Sequence, residues 1–296
     1  LLQPLADGGK MLFKEEIIPN VSNKFLFVLA PALFIVTAIM AGVLIPWGPS
    51  VKIGETFYAL QVSDINVGVI FLLGVTSIGV YGIMIGGWAS NNKYSLLGAM
   101  RSGAQIVSYE LSAGFAVLTI VVLTGSLQLS EIVKAQENGW WIFKGHIPAL
   151  IAFVLYIIAV TAETNRAPFD LAEAESELTA GFHTEYSGMR FALFFLAEYI
   201  NIFIVCAIGA TLFFGGWMPL HIGNWEAFNH IMDYIPSSVW FMGKTFFLIF
   251  LIMWFRWTFP RLRVDQLLNL EWKYLLPISL FNLLLVAVIA ILGWHF

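Results

Sequence analysis

The sequence predicts an all-α fold: a polytopic transmembrane helical bundle. Three observations carry that reading. The chain is 59% hydrophobic and only 11% charged, with mean hydropathy +0.82, a balance foreign to soluble domains. Residues 25–46, 65–92, 111–130, 145–162 and 274–296 are charge-free runs, each near or above the roughly 20 residues a helix needs to cross a bilayer. Residues 191–217 and 239–259 would be further runs but for Glu198 in the first and Lys244 and Arg256 in the second. Seven spans result. A closed barrel would instead show weak alternating segments. No linker marks a second unit, so residues 1–296 read as a single membrane domain.

Before the first span, residues 1–23 mix Asp7, Lys10 and Lys14 with Leu5, Met11, Leu12 and Phe13. The three charges recur at i, i+3 and i+7, the polar face of an interfacial amphipathic helix lying on the membrane. Simple anchoring accounts for it equally well. Residues 90–94 form a short polar turn after the second span. Arg101, Gln105, Ser108 and Tyr109 then fall at i, i+4, i+7 and i+8, one polar stripe on a helix. Tyr109 and Glu110 enter the membrane at the start of the third span. Hydrocarbon disfavours the charged form of a carboxyl group, so an acid there can load and release a proton. The bland alternative is a helix end whose Glu and Arg snorkel or pair.

The fourth span leads into an acidic stretch, residues 163–190. Between residues 163 and 186 it carries Glu163, Asp170, Glu173, Glu175, Glu177 and Glu185 against a single Arg166, a local charge of −5. Asp170, Glu173 and Glu177 share one helical face, and Glu173 and Glu177 stack at i, i+4, where like charges oppose each other. Crowded carboxylates titrate as a coupled set, able to store protons or to dock on a basic partner. A solvated loop is the plain alternative. The interleaved Phe169, Leu171, Leu178 and Phe182 argue for burial.

Glu198 and Lys244 are lone charges within spans. Each costs about 2.5–3.5 kcal/mol at mid-bilayer, which several Phe, Leu and Ile side chains offset. Both should face the bundle interior, as functional groups or as an interhelical ion pair. After the sixth span come Arg256, Arg261 and Arg263, which suit either anchoring on the inner face or a bidentate grip on carboxylates. Residues 125–145 and 215–237 are outer loops, and the second, with Trp217 and Trp225 and no Lys or Arg, suits lipid headgroups.

The loops sort by charge. Residues 1–24, 89–107, 163–190 and 256–273 hold 11 Lys and Arg, and the opposite side holds 3, Lys52, Lys134 and Lys144. That bias puts the acidic loop on the cytoplasmic side. Cys206 is the only cysteine, so no disulfide or Fe–S ligand set is available, and the five histidines are not paired at helical spacing within a span. No metal site is expected. An electron carrier, if used, belongs to another chain.

Taken together, these motifs resemble the H-subunit family of proton-pumping NADH:quinone oxidoreductase, respiratory complex I. The resemblance rests on Gln3-Pro-Leu-Ala-Asp7-Gly-Gly-Lys10, on Asn91 through Arg101 to Ser108-Tyr109-Glu110, and on Glu163-Thr-Asn-Arg166-Ala-Pro-Phe-Asp170. It continues in Glu185-Tyr186-Ser-Gly, in Phe194-Phe-Leu-Ala-Glu198-Tyr, and in Pro260-Arg261-Leu-Arg263-Val-Asp265-Gln266. It implies a membrane subunit that walls a chamber for ubiquinone or menaquinone at the foot of the peripheral arm. Asp7, Tyr109, Glu110, Glu163, Glu185 and Glu198 would form the proton path. Arg101, Gln105, Arg166, Asp170, Glu173, Glu175, Glu177, Arg190, Arg261 and Arg263 would line or brace the quinone cavity. The implied partners are peripheral-arm subunits carrying or flanking the terminal Fe–S cluster, neighbouring membrane-arm subunits and membrane lipid, with no nucleic acid. The implied location is a bacterial inner membrane, or the mitochondrial one. The family normally has eight spans, so a first span with its own cavity residues is expected ahead of residue 1. The competing readings are the related membrane subunit of an energy-converting hydrogenase, a stand-alone ion transporter, which would show repeated halves, and a passive anchor.

Overall fold

A computed structural model of the chain describes residues 2–53, 56–137, 139–171, 178–221 and 226–293. Seven of its helices are long and apolar enough to cross a membrane. In order they are α2 (Lys24–Gly42), α3 (Gly68–Ala89), α4 (Lys93–Thr124), α7 (His146–Glu163), α8 (Gly188–Phe213), α10 (Ser237–Thr258) and a last span over Val264–Ile291. That last span is built from α11 (Val264–Leu270), a π-helical stretch (Glu271–Leu275) and α12 (Leu276–Ile291). A short helix, α1 (Gln3–Phe13), precedes them, and α5 (Leu129–Lys134), α6 (Trp141–Lys144) and α9 (Glu226–Asp233) lie between them. A 3-10 turn spans Gly181–His183, and a small antiparallel hairpin pairs β1 (Val51–Ile53) with β2 (Thr56–Tyr58). The hairpin had no sequence signal strong enough to anticipate.

Packing follows from small residues where helices approach closely. α2 lies along α3 and α8, while α3, α7 and the last span all pack on α4, and α10 packs on α8. At Gly82 a Cβ would sit 2.9 Å from the Phe34 Cβ and 3.2 Å from the Ala30 carbonyl, so only glycine allows α2 and α3 to meet there. α4 is the central helix, with Gly98, Ser102, Gln105, Tyr109, Ser112, Ala116 and Ile120 buried along it. The last two spans are the least enclosed and turn Phe246, Phe250, Phe281 and Leu284 outward.

Two boundaries differ from the sequence reading. α4 is a continuous 32-residue helix from Lys93, so Glu110 lies roughly 25 Å along it rather than at the start of a span. Its first half looks like loop by composition because Ser, Gly and Gln fill the tight contacts with neighbouring segments. Likewise residues 264–273 belong to the last span rather than to a loop, because Leu267 and Glu271 are buried against α4.

The connecting segments meet in two sets, sorted as the charge count sorts them. At one end the Leu262 amide donates to the Pro168 carbonyl at 3.0 Å, and Asn92 Nδ2 donates to Glu185 at 2.6 Å. At the other, Asp64 accepts from Gln128 and Ser130, both at 2.6 Å. Lys244, a cation within the α10 span, also reaches that second end. Its ammonium donates to the carbonyls of Phe214, Gly216 and Met218 at 2.6, 2.9 and 2.5 Å, with the Trp140 ring at 4.3 Å. It is therefore a tether for the connection between α8 and α10, and Glu198 pairs with Arg166 instead.

Candidate functional site

The site is assembled where α7 ends. Thr164, Asn165 and Arg166 continue as a turn, their amides donating back to Val160, Ala162 and Thr161, and Asn165 takes φ 49°. This turn folds Arg166 under the bundle. Its guanidinium is buried, 3.7 Å from the Glu198 carboxylate on α8 and 4.8 Å from the centre of the Tyr199 ring. Gln105 on α4 holds the turn in place, Nε2 donating to the Ala162 carbonyl at 2.6 Å and to Asn165 Oδ1 at 3.4 Å.

Glu163, the last residue of α7, borders a small cavity of about 30 Å³ shared with Thr37, Thr76, Ile106 and Asn201. That volume takes one or two water molecules. Glu110 lies one helical turn along α4 from Ile106, which lines the same cavity as Glu163, and accepts a short hydrogen bond from Ser77 on α3. Glu110 also borders a crevice of about 400 Å³ between α3 and α4, lined by Leu73, Val107, Leu111 and Phe115. The structure thus gathers Glu110, Glu163, Glu198, Gln105 and Arg166 from three spans and one turn. A larger apolar crevice, about 420 Å³ between α7, α10 and the last span, has no titratable residue in its lining.

Glu185 stands apart, beside the α3–α4 turn, where it accepts from Asn92. The segment is pinned by Ser95 Oγ donating to the Phe182 carbonyl at 2.8 Å and by Tyr186, stacked on Phe27 at 4.0 Å and donating to its carbonyl. Burial pushes the Tyr186 phenol above its ordinary range. His183 is enclosed by Phe182, Phe191 and Phe195, with ring centres 4.9 to 5.7 Å away, and Nδ1 without a hydrogen-bond partner. Desolvation lowers its pKa to about 4.

The remaining sequence-predicted residues scatter. Asp7 is exposed on α1, accepting from Gln3 at 3.1 Å. Arg101 is half-buried, one turn before Gln105. Arg190 pairs with Glu16 at 3.0 Å, Arg261 donates to the Asp170 carbonyl, and Arg263 is exposed at the head of α11. Glu173, Glu175 and Glu177 lie outside the described residues. Tyr109 and Glu110, consecutive in sequence, point to different neighbours. Tyr109 reaches the last span, donating to the Leu267 carbonyl at 3.1 Å, so the pair is not one spatial step.

Sequence reasoning missed Ser77, Thr76 and Asn201, which carry no charge to draw notice, and Glu271, which reads as a headgroup-level residue just before the charge-free run. Among the described residues, no three His, Cys, Asp or Glu side chains converge as a metal site.

Comparison with known proteins is consistent across the chain. The family model described as NADH dehydrogenase matches residues 1–287. The NADH-quinone oxidoreductase H subunit of Bacteroides fragilis is 60% identical over 295 residues, covering 100% of this chain and 80% of that protein. The H subunit of the same oxidoreductase from Phocaeicola vulgatus is 58% identical with the same coverage. A further H subunit, from Geobacter metallireducens, is 47% identical over 301 residues, 98% of this chain and 82% of the relative. With identity of this order along its whole length, the chain belongs to the H-subunit family of NADH-quinone oxidoreductase, as a multi-pass membrane subunit of that oxidoreductase complex.

Proposed function

We propose that this subunit walls a chamber for ubiquinone or menaquinone at the foot of the peripheral arm and couples quinone reduction to proton movement through its buried carboxylates. The observation that carries the reading is the set of three carboxyl groups within an apolar bundle: Glu163 beside a water-sized cavity, Glu110 beside the neighbouring crevice, and Glu198 held by the buried Arg166. Acids in such a place are expensive to keep, and proton relays are among their established uses.

The electrons come from an Fe–S cluster held by a partner subunit, and this chain contributes charge and protons. Quinone reduction changes the local charge at the inner end, where Arg166 and Asp170 sit on the turn after α7. Arg166 passes that change to Glu198, and Glu163 and Glu110 answer it through their mutual repulsion. The crevice beside Glu110 gives the proton a lateral way out towards a neighbouring membrane subunit. Asp7 and Glu185 serve the inner end of the path. Arg101, Gln105, Arg190, Arg261 and Arg263 brace the cavity, together with Glu173, Glu175 and Glu177. The inner end faces the cytoplasm of a bacterial cell, with α1 lying on the membrane surface.

The test is Glu110→Gln in the assembled enzyme, reading quinone reduction and proton pumping in membrane vesicles. Loss of pumping is expected. Unchanged reduction together with unchanged pumping would remove Glu110 from the mechanism.

A further inference from the structure

Glu271 is the least exposed carboxyl described, 0% exposed, on the flank of α4 that faces the last span. One of its oxygens, Oε1, accepts a short hydrogen bond from Ser112. The other, Oε2, is buried with no hydrogen-bond partner. Among the described residues no Lys or Arg stands at ion-pair distance from it. A purely structural acid would be expected to find a cation or a second donor, since a buried carboxylate with one hydrogen bond is poorly compensated.

Its surroundings are built to handle a proton. Ser112 and Tyr109 lie at i, i+3 on α4, and Leu267 and Glu271 at i, i+4 on the last span. The four interlock, because the Tyr109 hydroxyl donates to the Leu267 carbonyl. Tyr109 in turn packs on Phe169, at 5.3 Å, in the turn segment that carries Arg166 and Asp170. The helix changes to π-winding at Glu271 and keeps it through Leu275, a local unwinding that recurs at functional sites. Tyr109 is the titratable group of α4 that faces Glu271, near enough to sense its charge. On its own span the neighbouring charges, Asp265 and Lys273, are exposed. α7 meets the last span towards the far end, where Asn282 donates to the Pro148 carbonyl at 3.0 Å.

We infer that Glu271 is a second proton-holding station of the coupling machinery, on the opposite flank of α4 from Glu110, with Ser112 and Tyr109 as its positioning residues. The proton resides on Oε2, while Ser112 fixes Oε1. No electrons or bonds other than O–H are involved. The inference rests on the proposed coupling of quinone reduction to proton movement and deepens it by adding a residue.

The experiment uses the whole enzyme in inverted membrane vesicles, measuring protons pumped per NADH oxidised and the pH profile of turnover. In Glu271→Gln the side chain still accepts from Ser112 but cannot exchange a proton. Assembled complex with a loss of pumping and an altered pH profile is expected, and Glu271→Asp should recover part of the loss. Wild-type pumping and pH profile in Glu271→Gln, or no recovery in Glu271→Asp, would overturn the inference. Should the Gln variant not assemble, Glu271→Leu reads the same quantity with an apolar filling, and wild-type pumping there is equally fatal. Glu110→Gln is run in parallel. If it is impaired while Glu271→Gln is normal, only the Glu271 station falls; if both are normal, the coupling reading falls with it.

Discussion

His183 sets a pH limit on the segment that carries Glu185. In the folded protein its imidazole is caged by three phenylalanines and its pKa is lowered to about 4, against 6.5 when solvated. Below pH 6.5 the opened segment therefore takes up a proton that the closed segment refuses, and stability falls as pH falls. From pH 7 to pH 5 the loss is about 2 kcal/mol, approaching about 3 kcal/mol below pH 4, where the folded ring finally titrates. Read as opening of the 181–186 turn, 2 kcal/mol is about a thirtyfold fall in amide protection. The assay is hydrogen exchange of the detergent-solubilised complex at pH 7 and pH 5, corrected for intrinsic exchange, in wild type and in His183→Phe. The Phe variant keeps an aromatic ring in the cage but has nothing to protonate, so its protection should be almost independent of pH. An equal pH response in both proteins, or none in wild type, would refute the argument.

Two further substitutions test the frame around the site. Lys244→Met strips three carbonyls of their shared ammonium and should destabilise that end of the bundle by about 1–3 kcal/mol for each carbonyl left buried and unsatisfied, read as a lower melting temperature of the purified complex. Gly98→Ala places a Cβ 2.9 Å from the Gly181 Cα and the Phe182 amide nitrogen, both backbone atoms that cannot swing aside. An overpacking cost of about 1–3 kcal/mol is expected, with the turn that seats His183 and Glu185 displaced, so thermal stability and quinone reduction should fall together.

The legibility of the chain divides by range. Spans were readable because hydrocarbon imposes a length and a composition on every crossing helix, and those two quantities are linear in sequence. The turn after α7 drew notice through Arg166 and its crowd of acids. What sequence spacing could not give was which neighbour each side chain meets. Tyr109 and Glu110 share a stretch of α4, yet a rotation of about 100° per residue sends one to the last span and the other to α3. Lys244 and Glu198 looked alike as intramembrane charges. Tertiary contacts gave one a nest of carbonyls and the other an arginine.

The sequence by itself determined that the chain is a seven-span helical membrane protein, and that its rare charges matter, because burying charge in lipid is a cost any reader of the chain can assess. Only the tertiary structure decided which acids form a group. Glu163 and Glu110 come from different spans, and Glu271 sits where composition suggested a loop. Proximity across a bundle depends on helix rotation, close glycine contacts and the fold of connecting turns, and none of these is a property of the residues taken one at a time.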